Sequence, residues 1–397
     1  MRNTFNFYMM GTFFRHIKNT IEPLYNSIAT KCIEWFYHLP IRKNKIVFIK
    51  GNGDGYACNP KYVAEEIIQE GLQYDMVWLV NKRTEKIPSQ IRKAKFNRIK
   101  AIYELSTAHV IITNSKSLIR VKKKPSQIFI YIPHGQPGAK RAEGDAILSE
   151  KYIEISKKHS ALTDVFVSMG SYHTQVLKDT FWVPDHAEIW ECGFPRNDMY
   201  YHDSSKKSQE LRKALNIPED VRVILYAPTF RDNNSTNAYN LDLHRVLDTM
   251  EQKTGDKWMF FITLHPCFRW FKHPLYNFGE RVWDMSDYTD IHELMLVVDA
   301  VITDYSSVAL DFCNTRRPVF LYASDIDEYK SMRGLKEMYF KLPFSLSTTN
   351  DELCSSIMDF DIDAYHHSLN EFNQIYGSVD DGYAAERFVN KLKQRID

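Results

Sequence analysis

Between Lys45 and Ala323 the sequence alternates short apolar runs with helix-competent segments, and that alternation leaves few folds open. The first set of runs is "KIVFIK", "DMVWLVN", "AHVIITNS", "QIFIYIPHG", "DVFVSMG" and "EIWECGFP". Each is apolar at consecutive rather than alternate positions, as in a strand covered on both faces. Between them lie segments such as "NPKYVAEEIIQEG" that suit helices. A polar segment, "HDSSKKSQELRK" over 202–213, interrupts the pattern, which then restarts with "RVILYAPTF", "WMFFITLHP", "RVWDMS", "IHELMLVV", "AVITDYSS" and "PVFLYA". Parallel βαβ units in two successive α/β domains follow, with the joint near residue 205. A chain of 397 residues with 44% hydrophobic content can supply both cores.

Residues 1–44 stand apart. Met10, Phe13, Phe14, Ile17, Ile21, Leu24, Tyr25 and Ile28 recur at helical spacing opposite Arg15, His16, Lys18, Asn19 and Glu22, which gives an amphipathic helix kinked at Pro23. Its aromatic face and basic balance suit an anionic membrane interface; packing on the protein's own core or on a second subunit in a homo-oligomer is the other reading. No uncharged run approaches the roughly 20 residues that span a bilayer, and no signal-peptide pattern opens the chain. Six scattered cysteines without C-x-x-C spacing suit a reducing, cytoplasmic compartment.

The formal net charge of +1 conceals an asymmetry: residues 82–141 hold fifteen Lys/Arg against Glu85 and Glu104. The first half should therefore attract anions. The basic stretches "RKAKFNRIK" and "RVKKK" carry few aromatics for base stacking and match no nucleic-acid module, so nucleic acid is not the expected partner. A phosphate-rich polymer or an anionic membrane surface fits, as does a simple solvated basic face.

In open α/β sheets ligands bind beyond the carboxyl ends of strands. The polar residues that directly follow the expected strands are His134, Thr229 to Asp232, His265, and Ser306 with Ser307. A helix starting at the serines offers backbone N–H groups and two hydroxyls to an anion, although serine at such a position is also a common helix cap, and Asp304 could cap as well. Arg231 and His265 would add donors for a diphosphate. No G-x-G-x-x-G and no P-loop is present, so hydroxyls and a helix end would carry the phosphate. Metal sites are not indicated: His265, Cys267 and His273 in "HPCFRWFKH" match no common zinc spacing, and the Asp325/Asp327 and Asp359/Asp361 pairs read as turns. No cofactor is required on this reading; Mg²⁺ stays open, since phosphoryl transfer often recruits it.

Seven motifs in order, "NPKYVAEEI…WLVN", "HGQPGAK", "GFPRND", "YAPTFRD", "LHP", "ITDYSSVALDF" and "DDGYAAERF", resemble the CDP-glycerol glycerophosphotransferase family, which builds teichoic acids and some capsules. The resemblance runs from about Lys45 to Phe388. It implies a GT-B architecture, with an acceptor domain over 45–205, a CDP-donor domain over 206–375 and a helix over 376–397 crossing back to the first domain. The reaction it implies is attack of an acceptor hydroxyl on the β-phosphorus of CDP-glycerol or CDP-ribitol, with CMP leaving. By the same resemblance His134 is the general base, His265 contacts the diphosphate, and Thr229, Arg231, Asp304, Ser306 and Ser307 form the donor site. Gly135, Lys140, Arg196 and Asn197 line the cleft or acceptor side. The acceptor would be a lipid-linked or phosphate-bearing glycan, and the protein peripheral on the inner face of the cell membrane. Gln136 and the pair Gly138 and Ala139 depart from the usual Thr and Leu-Lys of the family motif, so acceptor contacts should differ there. No extra domain is expected. A GT-B glycosyltransferase using a nucleotide sugar is the other reading.

Overall fold

The apolar runs form strands, except "IHELMLVV", which is helical over Ile291–Leu294 and Met295–Val297, and every named strand pairs in parallel. The computed structural model describes residues 28–81, 86–96, 99–116, 122–137, 143–145, 148–231, 236, 238–264, 276 and 278–396. The amphipathic segment before residue 28 lies outside them. From residue 28 to 37 the chain is helical; Ala29 and Phe36 are buried against Ile102, while Trp35 is 67% exposed.

The first sheet contains β1 (Arg42–Ile49), β2 (Asp75–Val80), β3 (Ile91–Lys95), β4 (Ala108–Thr113), β5 (Ile128–Tyr131), β6 (Val165–Ser168) and β7 (Glu188–Glu191), in the order β3-β2-β1-β4-β5-β6-β7. The second contains β8 (Val221–Ala227), β9 (Lys257–Ile262), β10 (Val282–Asp284), β11 (Ala300–Thr303), β12 (Val319–Tyr322) and β13 (Ser345–Ser347), in the order β10-β9-β8-β11-β12-β13. Both are doubly wound orders that reverse direction once, between β1 and β4 and between β8 and β11, and the crevice at such a reversal is where this fold takes ligands. The registers Ile49↔Thr113 and Ala227↔Thr303 bring the two strand ends at each reversal level with one another. Helices cover both faces, so β4, β5, β6, β11 and β12 are almost entirely buried and read as unbroken apolar runs.

Two strands were hidden in the sequence. β3, "IRKAK", lies within a stretch that reads as a basic face; its Arg92 instead bridges Asp75 at 2.7 Å and Glu104 at 3.1 Å, and its charge suits an edge strand. β13 has only three residues.

The C-terminal helix Ala384–Ile396 returns to the first sheet's half. Its Phe388 packs edge-on against Trp190, Lys393 pairs with Glu70 at 2.7 Å, and Asp198 accepts from the Ala384 and Ala385 N–H groups at its start. Just before it the backbone of Gly170 lies so close to Gly377 that a Cβ would stand 1.8 Å from the Gly377 carbonyl oxygen, which requires glycine there.

Candidate active site at the carboxyl edges of the two sheets

β5 ends at Tyr131, and the chain turns through Ile132 and Pro133 to His134, whose ring is exposed. His134 Nδ1 lies 2.9 Å from the carbonyl oxygen of Asn114, the residue that follows β4. A carbonyl can only accept, so Nδ1 carries a proton, and in the neutral imidazole the lone pair is then on Nε2. That is the tautomer a general base requires. Asn114 is held in turn by the Gly51 N–H, which donates to its Oδ1 at 2.8 Å.

Across the crevice, β11 ends at Thr303 and a short helix, Val308–Phe312, begins after Ser307. The two half-buried serines differ. Ser306 Oγ accepts from the Val308 N–H at 3.3 Å and so caps the helix, whereas Ser307 makes no side-chain cap. Ser307 Oγ faces the His134 loop closely enough that a Cβ on Gly135 would stand 3.6 Å from it. The structure thus brings the candidate base and the candidate donor hydroxyl to one place.

Asp304 does not cap. Its carboxylate accepts from the Thr229 N–H at 2.9 and 3.1 Å and from the Tyr305 N–H at 2.6 Å, and pairs with Arg231 at 2.9 Å. Arg231, 2% exposed, also grips Asp325 at 2.6 Å. Burial opposes its charge, but the two carboxylates outweigh that and raise its pKa. Asp304 and Arg231 therefore face each other rather than the crevice: they weld the loop after β8 to the loop after β11. Asp325 is accounted for by the same contact and by the Tyr305 hydroxyl at 3.0 Å. Between the welded loops, Thr229 Oγ1 is buried with no hydrogen-bond partner among the described residues.

Arg196 and Asn197 are also placed away from an open cleft. The Arg196 guanidinium is fully buried and donates to Asp311 at 2.9 Å through Nη2, to the His134 carbonyl oxygen at 2.7 Å and to Cys58 Sγ at 3.3 Å through Nη1. Its N–H donors are spent on the protein. Asn197 donates from Nδ2 to Asp380 at 2.7 Å, which ties the first half of the chain to the C-terminal segment. His265 and Lys140 lie outside the described residues; the strand leading to His265 ends at Ile262, and Leu264 is fixed by donating to Ser286 Oγ at 2.9 Å.

Sequence reasoning missed Asp311, Asn59, Asp290 and His292. Asn59 donates to the Pro133 carbonyl oxygen at 3.1 Å and accepts from the Arg196 N–H at 3.2 Å, joining three of the motifs. Burial pushes the Asp311 carboxyl up, but Arg196 and His292 hold it down at about 2. The available signal was an acidic residue inside the apolar run "VALDF", since a charge buried that way needs a partner. No group of three or more metal-ligating side chains occurs among the described residues.

Residues 32–394 match the family described as CDP-glycerol:poly(glycerophosphate) glycerophosphotransferase. The chain is 29% identical, over 96% of its length and 55% of the relative's, to a teichoic acid poly(glycerol phosphate) polymerase of Staphylococcus epidermidis. It is 28% identical, over 94% of its length and 52% of the relative's, to the corresponding Bacillus subtilis polymerase. The chain thus spans about half the length of these curated relatives. With a teichoic acid glycerol-phosphate transferase of Staphylococcus aureus it shares 30% identity over 95% of its length and 99% of the relative's. The solved structure of the wall teichoic acid polymerase TagF superimposes with a TM-score of 0.81 at 28% identity, covering 98% of this chain and 97% of that one. The architecture is GT-B, as the motif order implied.

Proposed function

Because the chain belongs to the CDP-glycerol:poly(glycerophosphate) glycerophosphotransferase family, we propose that it transfers glycerol phosphate from CDP-glycerol to a hydroxyl of a membrane-linked or polymer acceptor, releasing CMP, in the synthesis of teichoic acid or a capsule-type polymer. The observation that carries this reading is the approach of the His134 loop to Ser307 at the point where both sheets present their strand ends.

His134 Nε2 takes the proton of the acceptor hydroxyl as its oxygen bonds to the β-phosphorus, and the phosphorus–oxygen bond to CMP breaks. Proton removal near neutral pH suits an imidazole, whose unperturbed pKa is about 6.5. The charge on the departing CMP and on the transferring phosphoryl falls to Ser307, Ser306 and the unpartnered Thr229 hydroxyl, with His265 joining them by family resemblance. Asp304 and Arg231 support this wall from behind. We assign 45–205 to the acceptor, 206–375 to the donor and 376–397 to the returning segment, which carries the helix Ala384–Ile396, with Gly135 and Lys140 on the acceptor side.

Glycerol is favoured over ribitol as the alditol, since the family and the relatives named above are all described by glycerol phosphate. No helix among the described residues is long and apolar enough to cross a membrane. The exposed Trp35 and the amphipathic segment before it support peripheral attachment to an anionic membrane on the cytoplasmic side. The test of the reaction is incubation with CDP-glycerol and a phosphate-bearing acceptor, followed by mass analysis: the acceptor should gain glycerol phosphate units, and an unchanged acceptor beside intact CDP-glycerol contradicts the proposal.

A further inference from the structure

Gln136 stands two residues beyond His134, on the loop of the first sheet, and is 7% exposed. Its Nε2 donates to Asp311 Oδ1 at 2.7 Å. A carboxylate only accepts, so the amide must turn its NH₂ group toward Asp311, which aims Oε1 the other way. That oxygen is buried with no hydrogen-bond partner among the described residues. An apolar side chain of the same length would avoid this unfavourable orphan acceptor. What the amide supplies is the bond to Asp311.

Asp311 belongs to the second sheet's half, on the helix that starts after Ser307, and its own N–H donates to the Ser307 carbonyl oxygen at 3.0 Å. It cannot swing. Arg196 grips both of its oxygens at 2.9 Å, and His292 Nε2 lies 3.4 Å from Oδ2. His292 leans in turn on Asp290, which receives Lys61 Nζ at 2.9 Å and the Tyr62 hydroxyl at 2.8 Å. The same Arg196 donates to the His134 carbonyl oxygen at 2.7 Å. The His134 loop is therefore held at two points, one main-chain and one side-chain, by a single buried ion pair that spans the seam between the halves.

We propose that Gln136 and Asp311 form an inter-domain latch that fixes the His134 loop against the helix carrying Ser307, which makes Gln136 a positioning residue for the transfer. The role in turnover rests on the reaction proposed above; the latch itself does not. In-line transfer requires the base and the donor phosphate at a set separation, and a displacement of about 1 Å can cost on the order of a hundredfold in rate. Gln136 sets that separation by tying loop to helix directly, without touching substrate.

Gln136→Met keeps the length and approximate volume and removes the donor together with the unbonded Oε1, so the one hydrogen bond lost among the described residues is the one to Asp311. Two measurements decide. Imidazole NMR of His134, assigned by the signal lost in His134→Asn, needs no substrate: the latch predicts a changed tautomer balance or titration in Gln136→Met, and superimposable His134 signals overturn it. With CDP-glycerol and a phosphate-bearing acceptor, kcat of Gln136→Met should fall by about ten- to a hundredfold while KM for CDP-glycerol stays within about twofold. Unchanged kcat in a folded variant, or a rise in donor KM that accounts for the whole loss, overturns the positioning role. If the wild-type protein releases no CMP, the reaction fails and the NMR comparison still decides the latch. Asp311→Asn is the harsher variant; should it not fold, Gln136→Met carries the test alone.

Discussion

Arg196 and Asp311 meet across the seam between the two sheets, guanidinium Nη2 2.9 Å from each carboxylate oxygen, with both side chains essentially inaccessible to solvent. One comes from "GFPRND" and the other from "TDYSSVALDF", so two motifs that read as separate cleft markers are halves of one contact. Two buried charges at this distance tolerate each other and do not tolerate the loss of either. Arg196→Met should destabilise the protein by about 3–5 kcal/mol, because it leaves Asp311 buried without its main counter-charge. Urea unfolding measures it; a loss below about 1 kcal/mol would mean that the pair is dispensable.

A second prediction concerns pH. Asp380 is buried beneath the start of the C-terminal helix, and burial, only partly offset by the Asn197 and Phe194 N–H donors, pushes its carboxyl up to about 7. Unfolded aspartate titrates near 4, so the folded protein binds this proton more tightly than the unfolded chain does. The stabilisation is complete below about pH 4 and is lost as pH rises toward 7. Asp380→Asn can keep the contact if Asn197 turns over, so that Asn197 Oδ1, buried without a donor among the described residues, accepts from the new amide. Its stability at pH 7.5 relative to pH 5 should improve over wild type by roughly 3 kcal/mol. Parallel pH curves for the two proteins would contradict the assignment.

The serines invite a comparison of their own. Ser306 caps a helix and Ser307 does not, so the two alanine variants should separate. Ser307→Ala should weaken CDP-glycerol use by about 2–4 kcal/mol in kcat/KM with little change in melting temperature. Ser306→Ala should also lose about 1 kcal/mol of stability. Equal donor kinetics in Ser307→Ala and wild type would return this hydroxyl to a structural role.

For the segment that precedes residue 28, deletion followed by liposome flotation is the measurement. Recovery with anionic vesicles should fall when residues 1–27 are removed, and further on Trp35→Ala. Undiminished recovery of both would mean that the apolar face packs on protein.

The strands and their parallel arrangement were legible because burial on both faces writes an unbroken apolar run, and the strand-end rule then pointed to His134 and Ser307 without further help. β3 and β13 escaped, one because its edge position permits alternating charge and the other because three residues carry no period. The roles of Arg231, Asp304 and Arg196 were less legible for a different reason. A charged residue at a strand end looks the same in sequence whether it faces a ligand or a buried partner; only the partner's position decides, and Asp325 and Asp311 lie 94 and 115 residues further along the chain. Gln136, which departs from the expected motif, also crosses the seam, donating to Asp311.

The central claim is tested most directly by CMP release measured side by side from CDP-glycerol, CDP-ribitol and UDP-sugars, with a phosphate-bearing acceptor and with wild-type and His134→Ala protein. The proposed mechanism predicts release from CDP-glycerol above all other donors, and a loss of about 10²- to 10⁴-fold in His134→Ala with donor binding retained. Nucleotide release from UDP-sugars alone, or undiminished turnover without His134, would contradict it.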